Sequence, residues 1–512
     1  MTSLEAMSPQ PGAERPARTP IREPKKEALC VLAALLAAYA FCELVLFGGY
    51  GLSVTLFALL FYAALAFCLR PRLSREAVLT LIPAGLTALC FAVFDNGLLR
   101  FFNVLALTAF TVAHMTALSA ENTENRGSLF TGRGILACLK TFFIYPLCNL
   151  GKSVRVLGDA GGARRKWRTA LTVLLSLAVV SPVILLVLQL LMSSDASYGN
   201  LIRSVTRFLS ANVLEYATKI LTAVLLVFPL YSLFYSLRFA KANTRAGAAP
   251  AADFFRIAGR ASTVSVLWVF VVIYATYMIS QFGYLFAAYR AAVPGGFTYA
   301  GYARRGFFEL IAVAFINLLL TGAAMLLAKT ENGSLPRICR GSLAALSVMT
   351  LLIIGTALAK MILYISIYDL TPLRVYAFWF MTVLACLFVL ILIKTAAPRF
   401  PLLRASLFAC AALYLLLNFA DTDRLIARYN VDRYLAGRSG AAVSRSIDLT
   451  LFDSLSDGMV PELVRLKDDP LCGGQAREIL RRRAQAAGQA GWKNASLAEA
   501  VARQTARSSL AS

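Results

Sequence analysis

The chain has 512 residues, 59% of them hydrophobic and 15% charged, with a mean hydropathy of +0.67; no single core could hide that much apolar surface, which excludes a water-soluble globular domain. A net charge of +24 would suggest nucleic acid in a soluble protein. Here the Lys and Arg residues lie between apolar runs, where they set topology through the cytoplasmic side and its anionic lipids, so the expected partner is the lipid bilayer and no nucleic acid.

Taken in order, residues 1–27 are rich in Pro, Ala, Arg and Glu without periodicity and read as a disordered basic N-terminal tail. The run at 28–47 follows, with an AYA at 38–40 that resembles a signal-peptidase site, but the apolar stretch continues to Phe47 and predicts an uncleaved first span. Further spans of the required ~20 residues are predicted at 51–69, 77–94, 98–118, 169–193, 213–238, 264–289, 307–328, 342–367, 375–394 and 401–419. They are apolar on every side, which fits helices and not barrel strands, so the fold class is all-α: a polytopic transmembrane helix bundle of about 11 spans. Protein-wide, 28–419 forms the bundle.

Basic residues concentrate in alternate loops, including nine between 119 and 168, which predicts a cytoplasmic N-terminus and an extracytoplasmic C-terminus. Within that loop, residues 129–150 are apolar but interrupted by Arg133, Lys140 and Pro146. An interfacial helix is expected there, a re-entrant segment being the alternative. From 420 to 512 hydrophobicity drops and charge balances, predicting a small soluble helical tail of two or three helices, with Ser456 or Asp457 as an N-cap and the last twenty residues frayed.

The ten cysteines include no CxxC pair, and the single histidine is His114, so no metal or cofactor is expected. No nucleophile elbow, zinc-protease motif or phosphate loop occurs, and no catalytic residue is assigned. Polar groups inside spans are costly and therefore informative. Glu215 and Lys219, four apart, read as a helical ion pair. Laid on the topology, Glu43, Asp95, Arg304, Arg305, Glu309, Lys360, Asp369 and Arg374 fall on one outer side, and Lys360, Tyr364 and Tyr368 share a helical stripe leading into the turn at 369–374. Arg304, Arg305, Lys360 and Arg374 with Tyr364 would contact an anion while Glu43 and Glu309 balance them; a lipid headgroup or an anionic solute fits. The bland alternative is a snorkelling lysine and an aromatic belt.

The runs YARRGFFELIAVAFINLLL, KMILYISIYDLTPLRVYAFWFMTVLACLFVL and NFADTDRLIARYNVDRYL resemble the bacterial integral-membrane family Domain of Unknown Function 4153/4173. The resemblance covers about residues 80–470 and implies a multispanning bacterial inner-membrane protein. It transfers no activity. Asp369 stands where that pattern leads one to expect a glycine. Two functions remain open: transport or handling of an anionic solute or lipid headgroup through an outward-facing polar site, or an envelope sensor or scaffold without transport or catalysis, with protein partners unknown.

Overall fold

The computed structural model describes residues 24–69, 74–120, 122, 129–153, 211–239, 258–289, 307–330, 335–439, 447–486 and 491–511, with isolated positions at 180, 183, 187 and 191. The described chain is helical, its only strand-like feature being an isolated bridge between Ala258 and Ala328. Helix α1 (Pro24–Phe41) runs on through a π-turn at Cys42–Leu46, and α2 (Leu52–Leu69), α3 (Arg75–Val93) and α4 (Gly97–Leu118) follow. Next come α5 (Gly132–Leu139) and α6 (Tyr145–Cys148), joined by a π-turn at Lys140–Ile144. The remaining long helices are α7 (Ala211–Phe239), α8 (Arg260–Tyr289), α9 (Phe307–Leu327), α10 (Arg337–Tyr368), α11 (Pro372–Ala396) and α12 (Leu402–Phe419).

Among the described residues eleven helical segments are long and apolar enough to cross a membrane, and the protein is a multi-pass membrane protein. Ten coincide with expected spans. The eleventh is Gly132–Ser153, and the span expected at 169–193 lies outside the described residues.

Gly132–Ser153 has the length of a span but is tied at one end of the bundle. Just before it, the Leu129 amide donates to the Glu76 carboxylate in the first turn of α3, at 3.1 Å. In its middle, Thr141 accepts from Thr116 in the last turn of α4, at 3.0 Å. At its far end the Tyr145 carbonyl accepts from Ser232 and the Asn149 amide donates to Ser232, in the last two turns of α7. All these partners sit at the same end, so the segment turns back along it with Leu136, Phe143 and Leu147 exposed.

Buried polar side chains tie neighbouring helices. Asn317 in α9 accepts from Tyr274 of α8 at 2.7 Å and donates to Thr350 of α10 at 2.9 Å. Asn103 in α4 accepts from Tyr414 of α12. His114 in α4 meets the Ala77 carbonyl of α3 at 3.1 Å. Without water as a competing partner such bonds hold helices in register, each contributing on the order of 1 kcal/mol.

Beyond α12 the chain forms α13 (Thr422–Ser439), α14 (Thr450–Ser454), a 3-10 turn at Asp457–Met459, α15 (Val460–Val464), α16 (Gly473–Ala486) and α17 (Leu497–Ala511). They enclose a core of Ile426, Val431, Phe452, Met459, Leu463 and Leu480. This departs from the two or three helices and frayed end expected: α17 buries Ala502 and Ala506 in that core. Its apolar stripe is clear but made largely of alanines among charged and polar residues, so its average hydrophobicity is low and the sequence understates it.

Candidate functional site: the seam between the C-terminal module and the bundle

The C-terminal module covers one end of the bundle. The ends it touches are the α1–α2, α3–α4 and α10–α11 turns, where unpaired helix-end amides and carbonyls need partners.

At the first contact the turn Gly48–Gly51 cradles a strap, residues 493–495, which is itself folded into a turn by the Asn494 amide donating to the Gly491 carbonyl at 3.0 Å. The amides of Leu52 and Ser53, the first of α2, donate to the carbonyls of Ala495 and Lys493 at 3.1 and 3.2 Å. The Tyr50 amide donates to Asn494 Oδ1 at 3.0 Å. The strap thus caps a bundle helix whose own sequence offers no N-cap. Glycine is required: Gly49 has φ +110, a Cβ there would lie 1.8 Å from Asn494 Oδ1, and one on Gly51 would lie 2.3 Å from the Asn494 carbonyl.

Beside the cradle, Glu43 is held between two cations. Lys219 Nζ of α7 lies 3.1 Å from Glu43 Oε2, and Lys493 Nζ of the strap pairs with Glu43 Oε1. Lys219 also pairs with Glu215 at 2.8 Å, the helical pair the sequence implied.

At the second contact the capping is reversed, because the bundle caps the module. Asp95, in the α3–α4 turn, accepts the Asp457 amide at 2.8 Å. Asp423 of α13 accepts both the Ser456 amide and Asn96 Nδ2 at 2.9 Å. The caps of the 3-10 turn are therefore Asp95 and Asp423, and Ser456 makes no side-chain cap. Arg483 of α16 pairs with Asp457 at 3.1 Å, and a Cβ on Gly458 would lie 2.7 Å from Asp421. Burial, reinforced by Asp95, pushes the Asp457 carboxyl up to about 6. Burial likewise raises Asp95 and Asp421.

At the third contact Leu370, in the α10–α11 turn, plugs the module's core. Its amide donates to Asn430 Oδ1 at 2.8 Å and its carbonyl accepts from Asn430 Nδ2 at 2.9 Å. Arg433 caps α10 by donating to the Ile365 and Ser366 carbonyls, and lies 3.6 Å from Asp369. Asp369 has φ +66 and ψ 176, a region essentially reserved for glycine. The glycine that the family pattern suggests is what this backbone favours.

The residues singled out from sequence divide accordingly. Glu43 joins Lys219 and Lys493. Arg374 donates to the Tyr368 carbonyl at 2.7 Å and stacks over Tyr364, 4.2 Å from the ring centroid. Glu309 is exposed at the start of α9, and Lys360 is half-buried one turn before Tyr364. Arg304 and Arg305 lie outside the described residues. Lys493, Asn494, Asp423, Asp457 and Asn430 were not singled out as site residues. The GGYG turn was the one local signal, since three glycines in four residues mark close backbone approach. Among the described residues no group of three His, Cys, Asp or Glu is placed to hold a metal.

Residues 81–466 match the family described as Domain of unknown function (DUF4153). The chain belongs to that family. The matched segment contains the third contact and all of the second but Arg483, and neither half of the first, since Glu43 and the GGYG turn precede it and the strap follows it. No curated protein and no solved structure matches the chain.

Proposed function

We propose that the protein is an envelope sensor or scaffold of the bacterial inner membrane, with a cytoplasmic N-terminus, and that the C-terminal module is its extracytoplasmic working part. The observation that carries this reading is the use made of Glu43. An acid placed to balance a bound anion instead joins the module to two bundle helices, and the buried polar groups of Asn103, His114 and Asn317 are likewise spent on ties.

The orientation follows from parity. Leu118 and Glu215 lie at opposite ends of the bundle while Gly132–Ser153 returns to the end it left, which supports the odd count of crossings expected from the sequence. The returning segment, with Arg133 and Lys140 beside exposed apolar side chains, is proposed to lie in the cytoplasmic interface against anionic lipids.

A second reading, handling of an anionic solute or lipid headgroup, is favoured by one arrangement: Arg374 stacked on Tyr364, one turn from half-buried Lys360, at the level of Glu309. Complementation of a chromosomal deletion separates the two. With both variants at parental level in the membrane, Lys493→Ala/Asn494→Ala is expected to complement the deletion poorly and Lys360→Ala to complement it fully. The opposite result supports the anion reading and overturns the sensor reading.

A further inference from the structure

The second contact places acids of two independently packed parts against one another. Asp95 comes from the bundle turn; Asp457 comes from the module, with its amide on the Asp95 carboxylate. Facing Asp457 are Asp95 and Arg100 from the bundle, Arg483 from α16 and Glu499 from α17. Asp423 on α13 and Asp421 at the α12–α13 junction complete the group. Arg483 is bound within the module, also donating to the Asp453 and Leu455 carbonyls, so it travels with Asp457 and cannot relieve the repulsion that docking creates.

We propose that this contact is a proton-operated latch, in which protonation of Asp457 against Asp95 tightens the module onto the bundle and deprotonation loosens it. The proposal deepens the sensor reading, on which it rests, by naming the proton as an input. Docking buries the Asp457 carboxyl and sets it beside Asp95, so it binds a proton more readily when docked than when free; burial also raises Asp95, against the Asp457 amide and Arg100, which draw it down. The docked form therefore gains protons, and its population rises as pH falls through about 6. With an ordinary undocked carboxyl near 4, the docking equilibrium changes roughly tenfold between about pH 8 and about pH 5. Asp469 does not oppose this. Burial draws its carboxyl upward, but the Leu471 and Cys472 amides and the Tyr434 hydroxyl outweigh it and hold it down to about 2, so it stays charged throughout that window.

The direct reporters are the Leu52 and Ser53 amides, which are covered by the strap only while the module is docked. Hydrogen exchange of the full chain in lipid nanodiscs, corrected for the intrinsic pH dependence of exchange, is expected to show them about tenfold better protected at pH 5 than at pH 8. Asp457→Asn keeps an oxygen for Arg483 and is expected to be as protected at pH 8 as at pH 5. Asp95→Asn, which keeps an acceptor for the Asp457 amide, is expected to lessen the response without abolishing it, because burial still raises Asp457. Asp453→Asn, outside the seam, is expected to retain the parental slope. Protection that is independent of pH or falls in acid overturns the latch, as does a parental slope in both seam variants. Such a result leaves the sensor reading standing, whereas normal complementation by Lys493→Ala/Asn494→Ala removes the sensor reading itself.

Discussion

At the scale of single residues the seam depends on positions where backbone geometry decides identity. Asp369 holds a conformation that costs a side-chain-bearing residue about 1–3 kcal/mol. Its partly exposed pairing with Arg433 returns less than about 1 kcal/mol. Asp369→Gly is therefore expected to stabilise the protein by about 1 kcal/mol in chemical denaturation in mixed micelles; a loss of stability would show that the ion pair outweighs the strain. Gly49→Ala and Gly51→Ala are expected to expel the strap, read as rapid exchange at Leu52 and Ser53. Gly85→Ala, where a Cβ meets nothing within 4 Å, is expected to leave that exchange unchanged. Parental protection in both cradle variants would contradict the close approach. The Asp369 strain was legible as a departure from the family pattern. The role of Glu43 was not, because its partner Lys493 lies 450 residues away and neither residue carries a local pattern that points to the other.

At the scale of elements, the long spans were legible because burial in lipid demands an uninterrupted apolar run, which sequence displays directly. The module's packing was not, since its helices are short and rich in charged residues, so no stretch of it stands out as apolar even where one face is. Its anchor to α10 is Leu370, seated in the module's own core. Leu370→Ala is expected to cost about 2–4 kcal/mol through lost burial and a cavity, seen as a lower midpoint for the module in pulse proteolysis. An unchanged midpoint would mean that the turn merely rests on the module. Asn317→Ala strands the Tyr274 hydroxyl in the bundle interior, while Thr350 keeps the Leu346 carbonyl, and is expected to cost about 1 kcal/mol.

At the scale of the whole molecule, the topology reads as a set of helices whose ends on one side are finished by the chain's own C-terminal part. The module lends the bundle a cap for α2 and one for α10, and the bundle lends the module Asp95 and the Leu370 plug. The far end of α1 and the strap before α17 meet at Glu43 and Lys493, on either side of the family-matched segment. The central claim is this closure. It is tested most directly by a zero-length carbodiimide crosslink in native membranes, which joins a carboxylate to an amine only when the two are already paired. The expected product is an isopeptide between Glu43 and Lys493, identified by mass spectrometry and absent from Lys493→Arg. An isopeptide from Glu43 to Lys219 alone, with Lys493 modified only by groups elsewhere, would contradict it.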